Sequence, residues 1–136
     1  TFYHHYLDKY DLLSKLIEEH INELRNICKS AIDNNLSDPP YIWFEYFESN
    51  YQFFSTMLKS NGLFAFRSLL LEFVIEELKK VIDISQGKNK GLSEDIYFRF
   101  FGSAIVGIIE SYFTEGIPKS SKDLAEEVMI LLDRNI

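Results

Sequence analysis

The sequence predicts an all-α chain of six helices, and three observations carry that prediction. Apolar residues recur at three- and four-residue steps through most of the chain, Pro, Gly, Asn and Ser interrupt those steps, and no run alternates with period two long enough to make a strand. No internal repeat is visible. In the first helix, roughly Lys9 to Ile32, Leu13, Leu16, Ile17, Ile21, Leu24, Ile27, Cys28 and Ala31 form an apolar stripe, and Asp8 is placed to cap the first turn. Asp38 before Pro39 reads as a cap with proline in the first turn of a second helix, which runs to Ser49. Asn50 is placed to cap a short third helix, Tyr51 to Lys59, ended by a turn at Asn61 and Gly62. The fourth, Leu63 to Ile84, is apolar around much of its circumference and so belongs inside. The polar stretch from Ser85 to Gly91 has no periodicity and reads as a mobile loop. Ser93, with Glu94 and Asp95, starts a fifth helix that Gly116 and Pro118 stop after Glu115, and Ser120 or Ser121 caps a sixth, to about Asn135.

The last two helices carry more apolar surface than one core needs. At 100° per residue, the apolar side chains of the fifth spread over roughly 240°. Beside its polar strip of Arg99, Ser103 and Glu110, the small residues Ser103, Gly107 and Ser111 recur every four positions, a ridge that lets a neighbouring backbone approach closely. Val128 to Leu132 are five apolar residues in succession, more than one helix face holds. One set must face the home core and the other a second surface. A two-fold pair in which these helices form a four-helix bundle meets that need, with Ser103, Ala104, Gly107, Ser111, Leu124, Val128 and Leu131 at the contact. A fold that buries both helices within one chain would also absorb the surplus.

Composition bounds the function. The 136 residues suit one domain, since a single core usually serves about 100 to 200. Fourteen Lys and Arg against 21 Asp and Glu leave a net charge of −7, so the chain as a whole repels phosphate backbones. The lone Cys28 cannot form an internal disulfide, and the N-terminus lacks an export signal, which makes the cytoplasm the expected compartment. The longest uncharged apolar stretch, Phe100 to Ile109, falls short of the roughly 18 residues a membrane span needs, so no membrane partner is expected. The chain opens at Thr1 with its apolar pattern already running, as a piece cut from something longer would.

Catalytic and metal motifs are absent from the sequence: there is no Gly-rich phosphate loop, HExxH or G-x-S-x-G. His4 and His5 are adjacent and project about 100° apart on a helix, so they do not clasp one ion. His20 lies beside the stripe as a core histidine with one satisfied nitrogen, and Cys28 is buried packing. The pairs Glu18 and Glu19, Glu76 and Glu77, and Glu126 and Glu127 read as solvated faces. No metal, cofactor or catalytic residue is expected. Aromatic residues make up 15% of the chain; rings at helical spacing are usually core, but converging rings also wall small-molecule cavities, and Trp43, Tyr46 and Tyr97 offer polar handles there.

The opening stretch TFYHHYLDKYDLL is the most specific text. It resembles the junction in the TetR family of bacterial transcriptional regulators, where the recognition helix of a helix-turn-helix ends in a Thr-aromatic-Tyr pattern and the next helix begins at Asp-Lys-x-x-Leu-Leu, here Asp8, Lys9, Leu12 and Leu13. The segment from Phe100 through Gly116, Ile117 and Pro118 to Leu132 is similar to the family's last two helices, its wording nearest to regulators of dihydroxyacetone kinase operons. The resemblance implies that residues 1–8 are the end of the DNA-recognition helix and residues 9–136 a ligand-binding and dimerisation domain. By the same resemblance Thr1, Tyr3, His4 and Lys9 contact DNA phosphates in the whole protein, which hydroxyls and a lysine at a helix start suit. Operator DNA is then a partner of the full-length protein only. A small apolar or aromatic ligand is expected among His20, Trp43, Phe44, Phe47, Phe54, Phe66, Phe73, Tyr97 and Phe101. The whole would be a repressor-type sensor rather than a catalyst; the alternative is a helical protein-interaction module with a filled core and no ligand.

Overall fold

The computed structural model describes residues 2–34, 38–59, 62–116 and 119–136, with side chains described from residue 11 onward. Six helices follow in order: α1 (Phe2–Asp33), α2 (Pro39–Ser49), α3 (Tyr51–Lys59), α4 (Leu63–Val81), α5 (Glu94–Thr114) and α6 (Ser121–Asn135). No strand occurs among the described residues. The predicted bounds hold for the second and third helices and lie within a residue for the fifth and sixth.

The first helix differs. It runs unbroken from Phe2, so Asp8 lies inside it and not at its start; an aspartate in a helix interior is only weakly unfavourable. Helix α4 stops at Val81, three residues before the predicted Ile84, and Ile82 is extended. Asp83 explains the early stop: its carboxylate accepts hydrogen bonds from the Ser85 backbone N–H at 2.9 Å and the Ser85 hydroxyl at 2.6 Å, a side-chain turn that competes with the helix. Those two bonds also hold the Asp83 carboxyl below its usual range. Asn50 caps backwards, its Nδ2 donating to the Tyr46 carbonyl at the end of α2 at 3.0 Å rather than serving the start of α3. Asp38 is extended ahead of Pro39, and its carboxylate makes no capping bond. Ser93 and Ser120 do cap, accepting from Ile96 N and Asp123 N respectively.

α4 is the central element, flanked by α1 and α5, while α6 packs mainly on α2. From α1 come Ile17, Ile21, Leu24 and Cys28, all fully buried, and from α4 come Phe66, Leu70, Phe73 and Val74. Each such side chain contributes about 1.5 to 3 kcal/mol by leaving water. Two ion pairs bind the elements at the surface: Arg25 of α1 to Glu76 of α4, and Arg67 of α4 to both carboxylate oxygens of Glu110 of α5 at 2.6 and 2.7 Å. The crossing of α4 and α5 is set by Gly102, where an added Cβ would stand 3.0 Å from Ile75 Cγ1 and 3.1 Å from Leu71 Cδ1. Close approach therefore occurs at Gly102, one residue from the ridge the sequence points to. By length and composition α5 could cross a membrane, but here its inward residues Ile105, Ile109 and Phe113 form core and its Glu110 is paired.

The polar connection from Ser85 to Gly91 is built of turns, with Gly87 and Gly91 at φ of 83° and 91°, where a side chain would be strained. It is fastened to the far end of the chain. Lys88 Nζ donates to the Arg134 carbonyl and Asn89 Nδ2 to the Asn135 carbonyl at 2.8 Å, occupying carbonyls left free at the end of α6.

Candidate functional site

The predicted ligand wall falls into separate groups. Phe47 of α2, Phe54 of α3 and Phe66 of α4 meet as one cluster with Phe113 of α5, a ring the sequence reading did not single out; centroids lie 5.1 to 6.3 Å apart, and Phe47, Phe54 and Phe66 are fully buried. Phe44 is also fully buried, and Phe73 stands edge-on to Trp43 at 5.7 Å. Five of the expected wall residues, Phe44, Phe47, Phe54, Phe66 and Phe73, are thus core packing. Tyr97 and Phe101, 4.8 Å apart, lie elsewhere, along an open groove of about 470 Å³ shared with Phe100, Asn89 and Asn135. The Tyr97 hydroxyl finds no partner among the described residues, and burial pushes its pKa up.

His20 is a half-buried side chain stacked on Phe53 at 4.3 Å. Its Nδ1 lies 2.7 Å from the Tyr46 hydroxyl, which donates to Glu23 Oε2 at 3.2 Å. Since the phenol proton is engaged by Glu23, Nδ1–H donates to the phenol oxygen. The expectation of one satisfied histidine nitrogen fits this chain of bonds. Burial, followed by the charge of Glu23, raises the pKa of Tyr46.

Of the named aromatic residues, Trp43 lines a cavity of about 200 Å³ between the start of α2, the end of α4 and the last turns of α6. Pro39, Pro40, Leu78, Val81, Met129 and Leu132 supply apolar wall, and Asp38 and Asp133 are carboxylates at the same cavity. Glu77 of α4 also lines it and corrects the sequence reading. It is 1% exposed rather than on a solvated face, whereas the neighbouring Glu76 turns outward to Arg25. Glu77 Oε1 receives Lys80 Nζ at 3.2 Å, and Oε2 has no partner among the described residues. The indole Nε1 of Trp43 likewise lacks a hydrogen-bond partner of good geometry among the described residues; it interacts with the sulfur of Cys28, a weak acceptor. Burial, and then the Glu77 charge, push the Cys28 thiol up to about 12. No group of three or more metal-ligating side chains is gathered among the described residues.

The outer face of α5 is apolar and uncovered. Ile96 and Phe100 are 69% and 68% exposed, Ser103, Ala104 and Gly107 are exposed, Ser111 is half-buried, and a Cβ at Gly107 would meet nothing within 4 Å. On α6, Ile130 and Leu131 are exposed. Leu124 and Val128, expected at a contact between chains, are instead 5% and 4% exposed within this one. Their position on the side of α6 that packs toward α2 commits them to the home core. Of the expected phosphate contacts, Thr1 lies outside the described residues, as do the side chains of Tyr3, His4 and Lys9; the backbone of the last three continues α1.

No curated protein and no solved structure matches the chain. A family model described as the transcriptional regulator C-terminal region, of TetR type, matches residues 34–134. That span takes in α2 to α5, α6 short of its last residue, the uncovered face and every cavity-lining residue except Ile136. The chain therefore belongs to the TetR family of transcriptional regulators, whose C-terminal region it represents.

Proposed function

We propose that this chain is the effector-sensing and dimerisation part of a cytoplasmic TetR-type repressor. Two copies pair through the outer faces of α5 and α6, a small molecule binds within each chain, and a helix-turn-helix N-terminal to Thr1 reads the operator. The observation that carries the reading is the uncovered apolar face of α5, with Phe100 68% exposed and open space over Gly107, in a chain of this family. Exposed apolar surface of this kind marks an interaction site. A ligand regulates such a pair only by binding one arrangement of the two copies better than the other, typically by about 1 to 3 kcal/mol. The role is that of a switch rather than a catalyst.

Sedimentation equilibrium of the full protein tests the pairing: the wild type should be dimeric, and Phe100→Glu should be monomeric with unchanged helicity. A thermal-shift screen of the full protein against metabolites tests the sensing, since a ligand at 100 times its Kd stabilises by about 2.7 kcal/mol. The filled aromatic cluster around Phe54 favours a second reading, a module whose outer face binds a different protein chain. A wild type that stays monomeric at high concentration and takes up no compound would favour that module.

A further inference from the structure

At the cavity closed by the end of α6, the protein leaves a buried acceptor without a mate. A carboxylate only accepts hydrogen bonds when ionised, so Glu77 Oε2, stripped of water and unpartnered, has an unmet need for a donor. Lys80 serves only Oε1, and its ammonium is half-exposed. Asp38 and Asp133 add negative charge at the same cavity, and none of its lining residues is Lys, Arg or His. The remaining wall is apolar, from Pro40 and Leu78 to Met129 and Leu132. A volume of about 200 Å³ equals roughly seven waters at about 30 Å³ each, which sets the size of a guest.

We propose that this cavity binds a small protonated amine carried on a compact apolar body, with a turn of the Glu77 side chain bringing Oε2 to the ammonium, which donates to it. This rests on the sensor reading above and gives its ligand a charge as well as an apolar part. A neutral alcohol could give Oε2 one hydrogen but would leave the field of the surrounding carboxylates uncompensated. An anion is repelled outright. Charge-assisted bonds of the ammonium-to-carboxylate kind are about twice as strong as neutral ones, so the charge of the guest decides its affinity.

The chain contains one tryptophan, so Trp43 reports on its own cavity through a single indole N–H resonance. Cyclohexylamine, cyclohexanol and cyclohexanecarboxylate share one ring and differ in charge; each is titrated while that resonance is followed. The amine should move it and bind about tenfold or more tightly than the alcohol, with the carboxylate inert. Glu77→Gln should erase the amine preference, with circular dichroism confirming the fold. Met129→Phe, which fills the cavity from α6, should block the amine even if Glu77→Gln fails to fold. Equal binding of alcohol and amine, or an amine preference that survives Glu77→Gln, overturns the proposal and leaves the sensor reading standing. A resonance unmoved by all three probes overturns it too; the sensor reading then falls only if the metabolite screen of the full protein is also empty.

Discussion

The aromatic cluster around Phe54 and the cavity beside Trp43 draw on the same kinds of residue and came out differently. In the cluster, rings from four helices meet edge to face or tilted, and none of the four carries a polar atom to satisfy. At the cavity, the paired prolines that open α2, the early end of α4 and the last turns of α6 stand around one indole and one buried carboxylate. Rings with only rings for neighbours close on one another. A ring whose neighbours bring rigid corners and a carboxylate with one unpartnered oxygen leaves room. Aromatic content therefore marks the core of this chain, and unmet hydrogen-bonding groups mark its candidate site.

The contrast is open to direct attack. Phe54→Ala should cost about 3 to 5 kcal/mol in urea unfolding, because the interlocked rings cannot collapse into the gap; a loss below about 1 kcal/mol would mean that the cluster is loosely packed. Glu77→Met should do the opposite at the cavity, stabilising by about 1 to 3 kcal/mol as an unpartnered buried acceptor is replaced by an apolar side chain. A raised urea midpoint with unchanged slope is the expected signature.

Alkaline titration probes the same corner. The Cys28 thiol ordinarily ionises near 9.0 and is held up to about 12 in the folded chain. Between those values the unfolded state holds fewer protons, so the thiol's contribution to stability is intact below pH 9 and is lost as pH rises towards 12. The urea midpoint should fall more steeply across that window in wild type than in Cys28→Ala, and less steeply in Glu77→Met, where one cause of the shift is gone. The smallest expected effect lies outside both regions. Gly107→Ala should stabilise a lone chain by about 0.5 to 1 kcal/mol, since its Cβ meets only open space. Weakened dimerisation in the same variant would place a partner backbone at Gly107.

Most of the fold was legible because local chemistry decides it. Pro39 and Pro40 set the start of α2, and Ser93 and Ser120 mark helix starts with side chains that do cap. Legibility failed where one local rule met a competitor. Asp8 has the right side chain for a cap but sits in a helix already under way, and the turn made by Asp83 with Ser85 halts α4 despite apolar residues that would continue it. The site was less readable. Trp43 stood out as a polar handle, but Glu77 did not, because adjacent glutamates look alike in sequence although 100° of helix separates them. That rotation gives Glu76 to Arg25 and Glu77 to the interior. Likewise Leu124, Val128 and Leu131 recur at one helical spacing in sequence, and only the packing of α6 on α2 sorts the first two inward and the third outward.

The fastening of Lys88 and Asn89 to the carbonyls of Arg134 and Asn135 couples two distant stretches of chain mechanically. Met129 and Leu132 are on the same helix as the anchored carbonyls, and Ile96 and Phe100 follow directly after the anchored loop. A guest that shifted the tail of α6 would pull on the loop that leads into α5. If the sensor reading holds, this latch is the shortest bonded route from the corner beside Trp43 to the surface where a second copy would rest.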